Sequence, residues 1–270
     1  MLELWNQLLY FPLVNSLVWL HQLTGSLGWA IVILTAGLRV AMTTLILPGL
    51  KLSKKVQELS PELAKLKEKY KDDKTALMTA QAELYKQHGA NPASGCLPQI
   101  VQIVLLIALF NSLNSVLKPN GQTVAEHLNP ILYKFNQLPK DFQLNTHFMY
   151  IDMGKPDVFR IPGLPIPLPG LFVIAAALLQ VVTSKMMSPA TKAEKKIVTT
   201  TPAESDDAMQ AASQQMLFMM PLMIVIFGMQ FPSGLAIYQL ALTVVSLVQQ
   251  YLATGWGGMK PYLLKLNLVK

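Results

Sequence analysis

The sequence predicts an all-α polytopic membrane protein: a five-transmembrane-helix bundle with a cytosolic helical hairpin and an N-terminal interfacial amphipathic helix. Three observations carry this expectation. Of 270 residues, 52% are hydrophobic and only 14% are charged, where a soluble domain carries about 25% charged residues. The apolar residues gather in runs close to the roughly 20 residues that cross a bilayer. The lysines, finally, are distributed unevenly between alternate connecting segments, which orients the chain.

Residues 1–24 come first. Leu4, Leu8, Phe11, Val14 and Val18 recur near helical spacing, with Trp5, Tyr10 and Trp19 as interfacial anchors. Pro12, Asn15 and His21 interrupt any spanning run, so an amphipathic helix lying on the outer leaflet is expected. Glu3 is the only formal charge before Arg39. Without a basic n-region this end does not read as a cleavable signal peptide. The first span is residues 25–50, with its apolar run from Leu27 to Leu50.

Residues 51–94 read as the cytosolic hairpin. Ser60-Pro61-Glu62 predicts an N-cap, a proline at N1 and an acid in the first turn. Leu59, Leu63, Leu66 and Tyr70 form one stripe, Leu77, Ala80 and Leu84 the answering one, and Lys71-Asp72-Asp73-Lys74 the turn. Such a pair suits either a solvated coiled coil or a platform for incoming chains. Residues 95–117 form the second span. Residues 118–167 form an extracytoplasmic loop of mixed polarity, rich in Pro towards its end. The third span, 168–187, is reached through Pro162, Pro165, Pro167 and Pro169, which block an earlier helix start. Residues 188–213 are a polar cytosolic loop, with Thr199 to Asp207 unpatterned. The fourth span (214–231) and the fifth (235–254) are joined by Pro232-Ser233-Gly234, a tight hairpin. Residues 255–270 are a cytosolic tail.

Orientation follows from charge. Lys51, Lys54, Lys55, Lys65, Lys67, Lys69, Lys71, Lys74 and Lys86 lie between spans one and two. Lys192, Lys195 and Lys196 lie between spans three and four, and Lys260, Lys265 and Lys270 in the tail. The opposite side holds only Lys118, Lys134, Lys140, Lys155 and Arg160. The N-terminus is therefore expected outside and the C-terminus in the cytosol.

Arg39 is the one charge inside the first span. At about 1.5 Å per residue it stands roughly 17 Å of helix from either end, too far to snorkel. A charge at that depth costs from about 3 to more than about 10 kcal/mol, so polar surroundings are required. The spans offer no Asp or Glu. They offer Thr35 and Thr43, one turn either side of Arg39; Gln99 and Gln102; Gln180, Thr183 and Ser184; and Tyr238, Gln239 and Thr243. A cation-coupled transporter places carboxylates in its spans, whereas this set describes a positive, neutral-polar pocket suited to passing carboxylates and amides. Met216, Met219, Met220, Met223 and Met229 add an unbranched, adaptable surface on span four, which fits core or lipid-facing filler as well as binding.

Other chemistry finds little support. Cys96 stands alone, and His21, His88, His127 and His147 lack ligand spacing, so no catalytic residue, metal site or cofactor is expected. No phosphate-cradling, nucleophile-elbow or zinc-protease motif occurs. The +7 charge suits an anionic membrane face or a ribosome without choosing between them.

Four blocks resemble the YidC/Oxa/Alb family of membrane-protein insertases. They are Gly28-Trp29-Ala30-Ile31 through Thr35 to Leu38-Arg39; Leu59-Ser60-Pro61-Glu62-Leu63 with Lys67-Glu68-Lys69-Tyr70; LYKQHGANPASGCLPQIVQ, Leu84–Gln102; and FPSGLAIYQ, Phe231–Gln239, followed by Gln249-Gln250-Tyr251. The resemblance runs over nearly the whole chain and implies an insertase and chaperone with a hydrophilic groove, of the bacterial type without the large periplasmic domain. It implies that Arg39, in a bacterial inner or plasma membrane, draws polar parts of a nascent chain into a groove where Thr35, Gln180 and the position of Gln239 are family positions. The polar pattern of the spans adds Gln99, Gln102 and Tyr238. The substrate's apolar segment then passes spans three and five into lipid, and no nucleotide is hydrolysed. Beside such a pocket the stripe of Met219, Met220 and Met223 reads as a slide. The implied partners are nascent membrane proteins and the lipid bilayer. Ribosome, signal recognition particle receptor and Sec translocon are candidates beside them, and no sequence-specific nucleic acid contact is implied. Gln239 departs from the pattern, standing where relatives commonly carry an aromatic ring, and the tail is short and modestly basic. The competing expectation is a small-solute anion transporter or channel that binds at Arg39.

Overall fold

Long apolar runs stay helical because, away from water, each backbone N–H and C=O has to be satisfied within its own segment. The computed structural model of the chain describes residues 2–70, 73–89, 93–117, 121–163, 165–187 and 208–265. The expected turn at 71–72, most of the loop 188–213, Ala90-Asn91-Pro92 of the longest motif, Lys118 and Lys270 lie outside the described residues.

Helix α1 (Leu2–Trp5) leads through a π-helical turn, Asn6–Tyr10, into α2 (Phe11–Thr24). Gly25 ends α2 at a φ of 66°, a left-handed value that glycine adopts without strain. Next come α3 (Leu27–Ala41), α4 (Thr43–Glu58), α5 (Ser60–Lys69), α6 (Lys74–Gln87) and α7 (Ala93–Leu117). The segment 121–170 holds α8 (Val124–Leu128) and two antiparallel strand pairs. In these β1 (His147–Phe148) joins β2 (Ile151–Asp152), and β3 (Val158–Phe159) joins β4 (Leu168–Pro169). Then follow α9 (Leu171–Met187), α10 (Ala208–Gln230), α11 (Ser233–Thr254) and α12 (Lys260–Lys265).

Among the described residues, two stretches, Gln99–Leu117 and Ser233–Thr254, are long and apolar enough to cross a membrane. Helices α3 and α4 make a third if the broken pair is one span, and α9 and Met219–Gln230 are shorter apolar helices. The expected unbroken helix from Leu27 to Leu50 is corrected at Met42, where ψ turns to 4° and the regular ladder stops. The run stays apolar on both sides of Met42, as far as Leu50, so hydropathy does not announce the break. Thr43 consequently starts α4 instead of continuing the Thr35 and Arg39 face.

The chain divides into two compact units. The first comprises Met1–Met42, Ile100–Leu178 and Leu222–Val245. Its core joins Leu13, Val14 and Leu17 of α2 to Leu27, Ala30 and Ile31 of α3 and Ala108, Leu109 and Leu113 of α7. A Cβ on Gly28 would lie 2.2 Å from the Phe148 ring, so only glycine lets β1 rest directly on α3.

The segment 121–170 is tied to three helices of this unit. Asn15, expected only to interrupt a helix face, is buried in α2. Its Oδ1 accepts from Tyr133 N at 2.7 Å, its Nδ2 donates to Ile131 O at 3.1 Å, and its carbonyl accepts from Asn136 Nδ2 at 2.8 Å. At the start of α11, Ser233 donates through its N–H to Lys155 O at 2.8 Å and through its hydroxyl to Asp152 O at 3.0 Å. At the start of α9 the carboxylate of Asp157, 2% exposed, accepts from Tyr150 OH at 2.9 Å, Phe172 N at 3.0 Å and Val173 N at 3.3 Å. This cap comes from upstream because Gly170 has no side chain: a Cβ there would fall 1.7 Å from Asp157 Oδ1. Helix α9 accordingly starts at Leu171 rather than Leu168, which pairs with Phe159 in the hairpin. Burial, together with the neighbouring Asp157 carboxylate, pushes the Tyr150 phenol up to about 12.

The second unit comprises Thr43–Gln99, Leu179–Pro221 and Ser246–Lys270. Helices α5 and α6 are in contact. Leu59 and Leu63 are buried, with Leu66, Tyr70, Leu77, Ala80 and Leu84 partly so. The N-cap differs. Leu59 occupies it in helical conformation, Ser60 lies within the first turn, and no side chain caps α5. The chain runs from α4 into α5 with only Leu59 between, and a serine can cap only from extended backbone. Asp73 has that backbone and caps α6, its Oδ1 accepting from Ala76 N at 2.9 Å. Elsewhere in this unit Gln57 Nε2 donates to Met186 O at 2.7 Å, and Lys55 Nζ donates to His88 O at 3.0 Å.

Candidate functional site

Helical spacing assembles a small, largely apolar cavity inside the first unit, into which four polar side chains enter. Thr35, Arg39 and Met42 follow one another along one face at the end of α3. Gln102, Leu105 and Leu109 do so on α7, and Tyr238 and Leu242 on α11. These residues, with Leu38, line a small cavity. Arg39 Nη1 donates to Gln102 Oε1 at 3.4 Å, and Gln102 Nε2 donates to the Tyr238 hydroxyl. Gln102 thus spans the cavity with both ends of its amide engaged. Thr35 is buried and gives its hydroxyl proton to Ile31 O at 2.6 Å, leaving its oxygen's remaining capacity as an acceptor. Arg39 itself is half-buried.

The arrangement can do two things chemically. It holds a permanent positive charge in a region of low polarity, where attraction for an anionic or strongly polar group is greater than in water. It also supplies neutral donors and acceptors that rearrange without creating a new charge. No acid is among the residues lining the cavity, and among the described residues no three His, Cys, Asp or Glu converge to hold a metal.

Thr35, Arg39, Gln102 and Tyr238 are therefore brought together. Gln239, one residue beyond Tyr238, is not among the lining residues, and its Nε2 donates along α11 to Thr243 Oγ1 at 3.4 Å. Gln99 and Gln180 belong to the second unit, where Gln180 Nε2 donates to Ser184 Oγ at 3.4 Å. Thr43, in the same unit, accepts from Gln249 Nε2 at 2.9 Å. Met219 and Met223 are exposed on α10, whereas Met220 is partly buried. Met219 and Met220 fall in the second unit and Met223 in the first. The apolar wall residues Leu38, Met42, Leu105, Leu109 and Leu242 were not picked out from the sequence. Each lies three, four or seven residues from another lining residue on its own helix, and that spacing was the available signal.

Comparison with known proteins gives a consistent result. Residues 19–257 match the family described as 60Kd inner membrane protein. The Membrane protein insertase YidC of Geobacter sulfurreducens is 41% identical over 109 residues, 40% of this chain and 20% of that protein. That of Citrifermentans bemidjiense is 43% identical over 102 residues, 38% of this chain and 19% of its own length. The Membrane protein insertase MisCA of Bacillus subtilis is 27% identical over 256 residues, 93% of this chain and 79% of MisCA. The matched stretch thus spans about a fifth of those YidC relatives.

Proposed function

The chain belongs to the 60Kd inner membrane protein family, that of the YidC/Oxa/Alb membrane protein insertases, and on that premise we propose that it inserts nascent membrane proteins into the bacterial membrane and helps them fold. The observation that carries the reading is the cavity in which Arg39, Thr35, Gln102 and Tyr238 meet inside apolar helices. Arg39 attracts an acidic or polar part of the incoming chain. The Gln102 amide and the Tyr238 hydroxyl exchange partners as that part passes. The apolar segment of the substrate then moves past α9 and α11 into lipid, with Met219, Met220 and Met223 as a surface that accepts varied side chains. Transfer of the substrate's apolar surface out of water drives the step, and no nucleotide is consumed.

On this reading five apolar helical segments span the bilayer: the α3/α4 pair, α7, α9, α10 and α11. The α5/α6 pair and the C-terminus lie in the cytosol, and α2 sits at the outer face. The basic α5/α6 pair receives chains from a ribosome, a signal recognition particle receptor or the Sec translocon. Site-specific photocrosslinking tests the reading. Probes in α9 and α11, and at Gln99, Gln180 and Gln239, should capture a stalled nascent membrane protein. Solute uptake by reconstituted vesicles without such crosslinks would replace insertion with transport.

A further inference from the structure

The hairpin β3–β4 ends in an apolar tip that takes no part in the Arg39 cavity. Phe159 and Leu168 are direct cross-strand partners, and both are exposed. Ile161 and Ile166, nearer the tip, are 50% and 66% exposed. Side chains of this kind on a water-facing hairpin form an uncompensated apolar patch. The hairpin is also fastened. Phe159 stacks on Tyr150 at 6.1 Å and Tyr150 on Phe172 at 5.3 Å, and Asp157 holds the first turn of α9. The tip is therefore kept within a few residues of where α9 begins.

We propose that this tip dips into the headgroup and upper acyl region of the outer leaflet, as a built-in lipid anchor for the entrance of α9. The inference rests on the proposed reading in which α9 crosses the membrane. Three features name lipid as the occupant. The exposed face is continuous along the chain with α9, whose Leu171 and Leu178 are 60% and 63% exposed. No Asp or Glu occurs from Val158 to Met187, while Arg160 stands between Phe159 and Ile161, in reach of phosphate oxygens. Pro162, Pro165, Pro167 and Pro169 have no backbone N–H, which reduces the number of donors that make irregular backbone costly near hydrocarbon. The remaining N–H and carbonyl groups keep the tip at the interface and out of the bilayer core.

The test uses the full chain with Cys96→Ser, reconstituted in phosphatidylethanolamine and phosphatidylglycerol vesicles. An environment-sensitive fluorophore is attached at Ile166→Cys, at Leu178→Cys, or at exposed Gln143→Cys as the water-facing reference. Lipids carry a nitroxide either just below the headgroup or near the acyl terminus. The Ile166 label should emit further to the blue than the Gln143 label, and the shallow nitroxide should quench it at least about twofold more strongly. The Leu178 label should respond best to the deep nitroxide. An Ile166 label that behaves like the Gln143 label overturns the anchor whatever Leu178 does. So does a blue-shifted Ile166 label that neither nitroxide quenches, since a second protein copy then covers the tip. A Leu178 label that the deep nitroxide does not reach overturns the span instead. An Ile166→Trp variant read against the parent with brominated lipids gives the same readout with Cys96 in place.

Discussion

Asp157 and Arg39 are both charged groups drawn out of water within the first unit, and the fold treats them in opposite ways. Asp157 is held by the Tyr150 hydroxyl and by two backbone N–H groups at the start of α9. A helix N-terminus favours negative charge, and these donors cannot leave without unwinding the helix. Arg39 faces a cavity and meets the neutral amide oxygen of Gln102 at 3.4 Å. A neutral acceptor holds a guanidinium less strongly than a carboxylate does, and its side chain can turn away. The contrast separates two uses of a buried charge. Backbone partners commit Asp157 to the fold, while on the proposed reading the neutral Gln102 amide beside the cavity lets Arg39 take up a passing polar group.

Substitutions can break that contrast, and the largest effect is expected at Asp157. Asp157→Ala leaves the Phe172 and Val173 N–H groups without their acceptor and should cost about 2–4 kcal/mol of stability. A lowered thermal unfolding midpoint of the detergent-purified protein would report it, and an unchanged midpoint would show that the cap is dispensable. Arg39→Ala should do the reverse. Insertion of single-span substrates with acidic outer tails should fall about tenfold, or ~1.4 kcal/mol, while the unfolding midpoint stays in place. Undiminished insertion would refute charge attraction. Arg39→Lys sharpens the point: most activity survives if charge alone matters, whereas a loss equal to that of alanine identifies the planar fork as the requirement.

Tyr238→Phe removes only the hydroxyl that accepts from Gln102 and should cost about 0.5–1.5 kcal/mol, read as a fewfold fall in insertion. A loss exceeding that of Arg39→Ala would make the tyrosine, rather than the charge, the centre of the site. The smallest effect concerns His21, buried in α2 against Phe142 with a ring separation of 5.7 Å. Among the described residues neither of its ring nitrogens has a hydrogen-bond partner. Burial holds its pKa below the usual histidine value, so the unfolded chain binds the proton more readily. Stability is therefore full above about pH 6.5 and declines as pH falls through the depressed folded value. Unfolding midpoints measured from about pH 8 down to pH 5 should show this slope, and His21→Leu should flatten it. An equal slope in both proteins would assign it to another group.

Much of the candidate site was legible in the amino-acid sequence. An arginine within an apolar run, with glutamines and a tyrosine on other runs, is an energetic anomaly that composition alone exposes, and Arg39, Gln102 and Tyr238 do meet. Less legible was which helix faces meet, because hydropathy hardly varies around a helix that is apolar on all sides. Gln239 differs from Tyr238 by one position, about 100° of helix rotation, and that alone takes it off the cavity wall. The segment 121–170 was the least legible. Its structural ties run through Asn15, Asp157, Gly170 and Ser233, whose partners lie far along the chain or require a bare backbone, and no local periodicity announces such pairs.

Composition, run length and the position of its charges determined that this chain is a helical membrane protein with a costly cation inside an apolar run. Those properties are sums over local sequence, and the bilayer acts on each segment separately. Tertiary structure alone decided that α3 breaks at Met42, that Asp157 rather than a neighbouring residue caps α9, and that Gln102 bridges Arg39 and Tyr238. Each depends on which atoms approach within hydrogen-bond or van der Waals distance, a condition that the packing of distant segments sets.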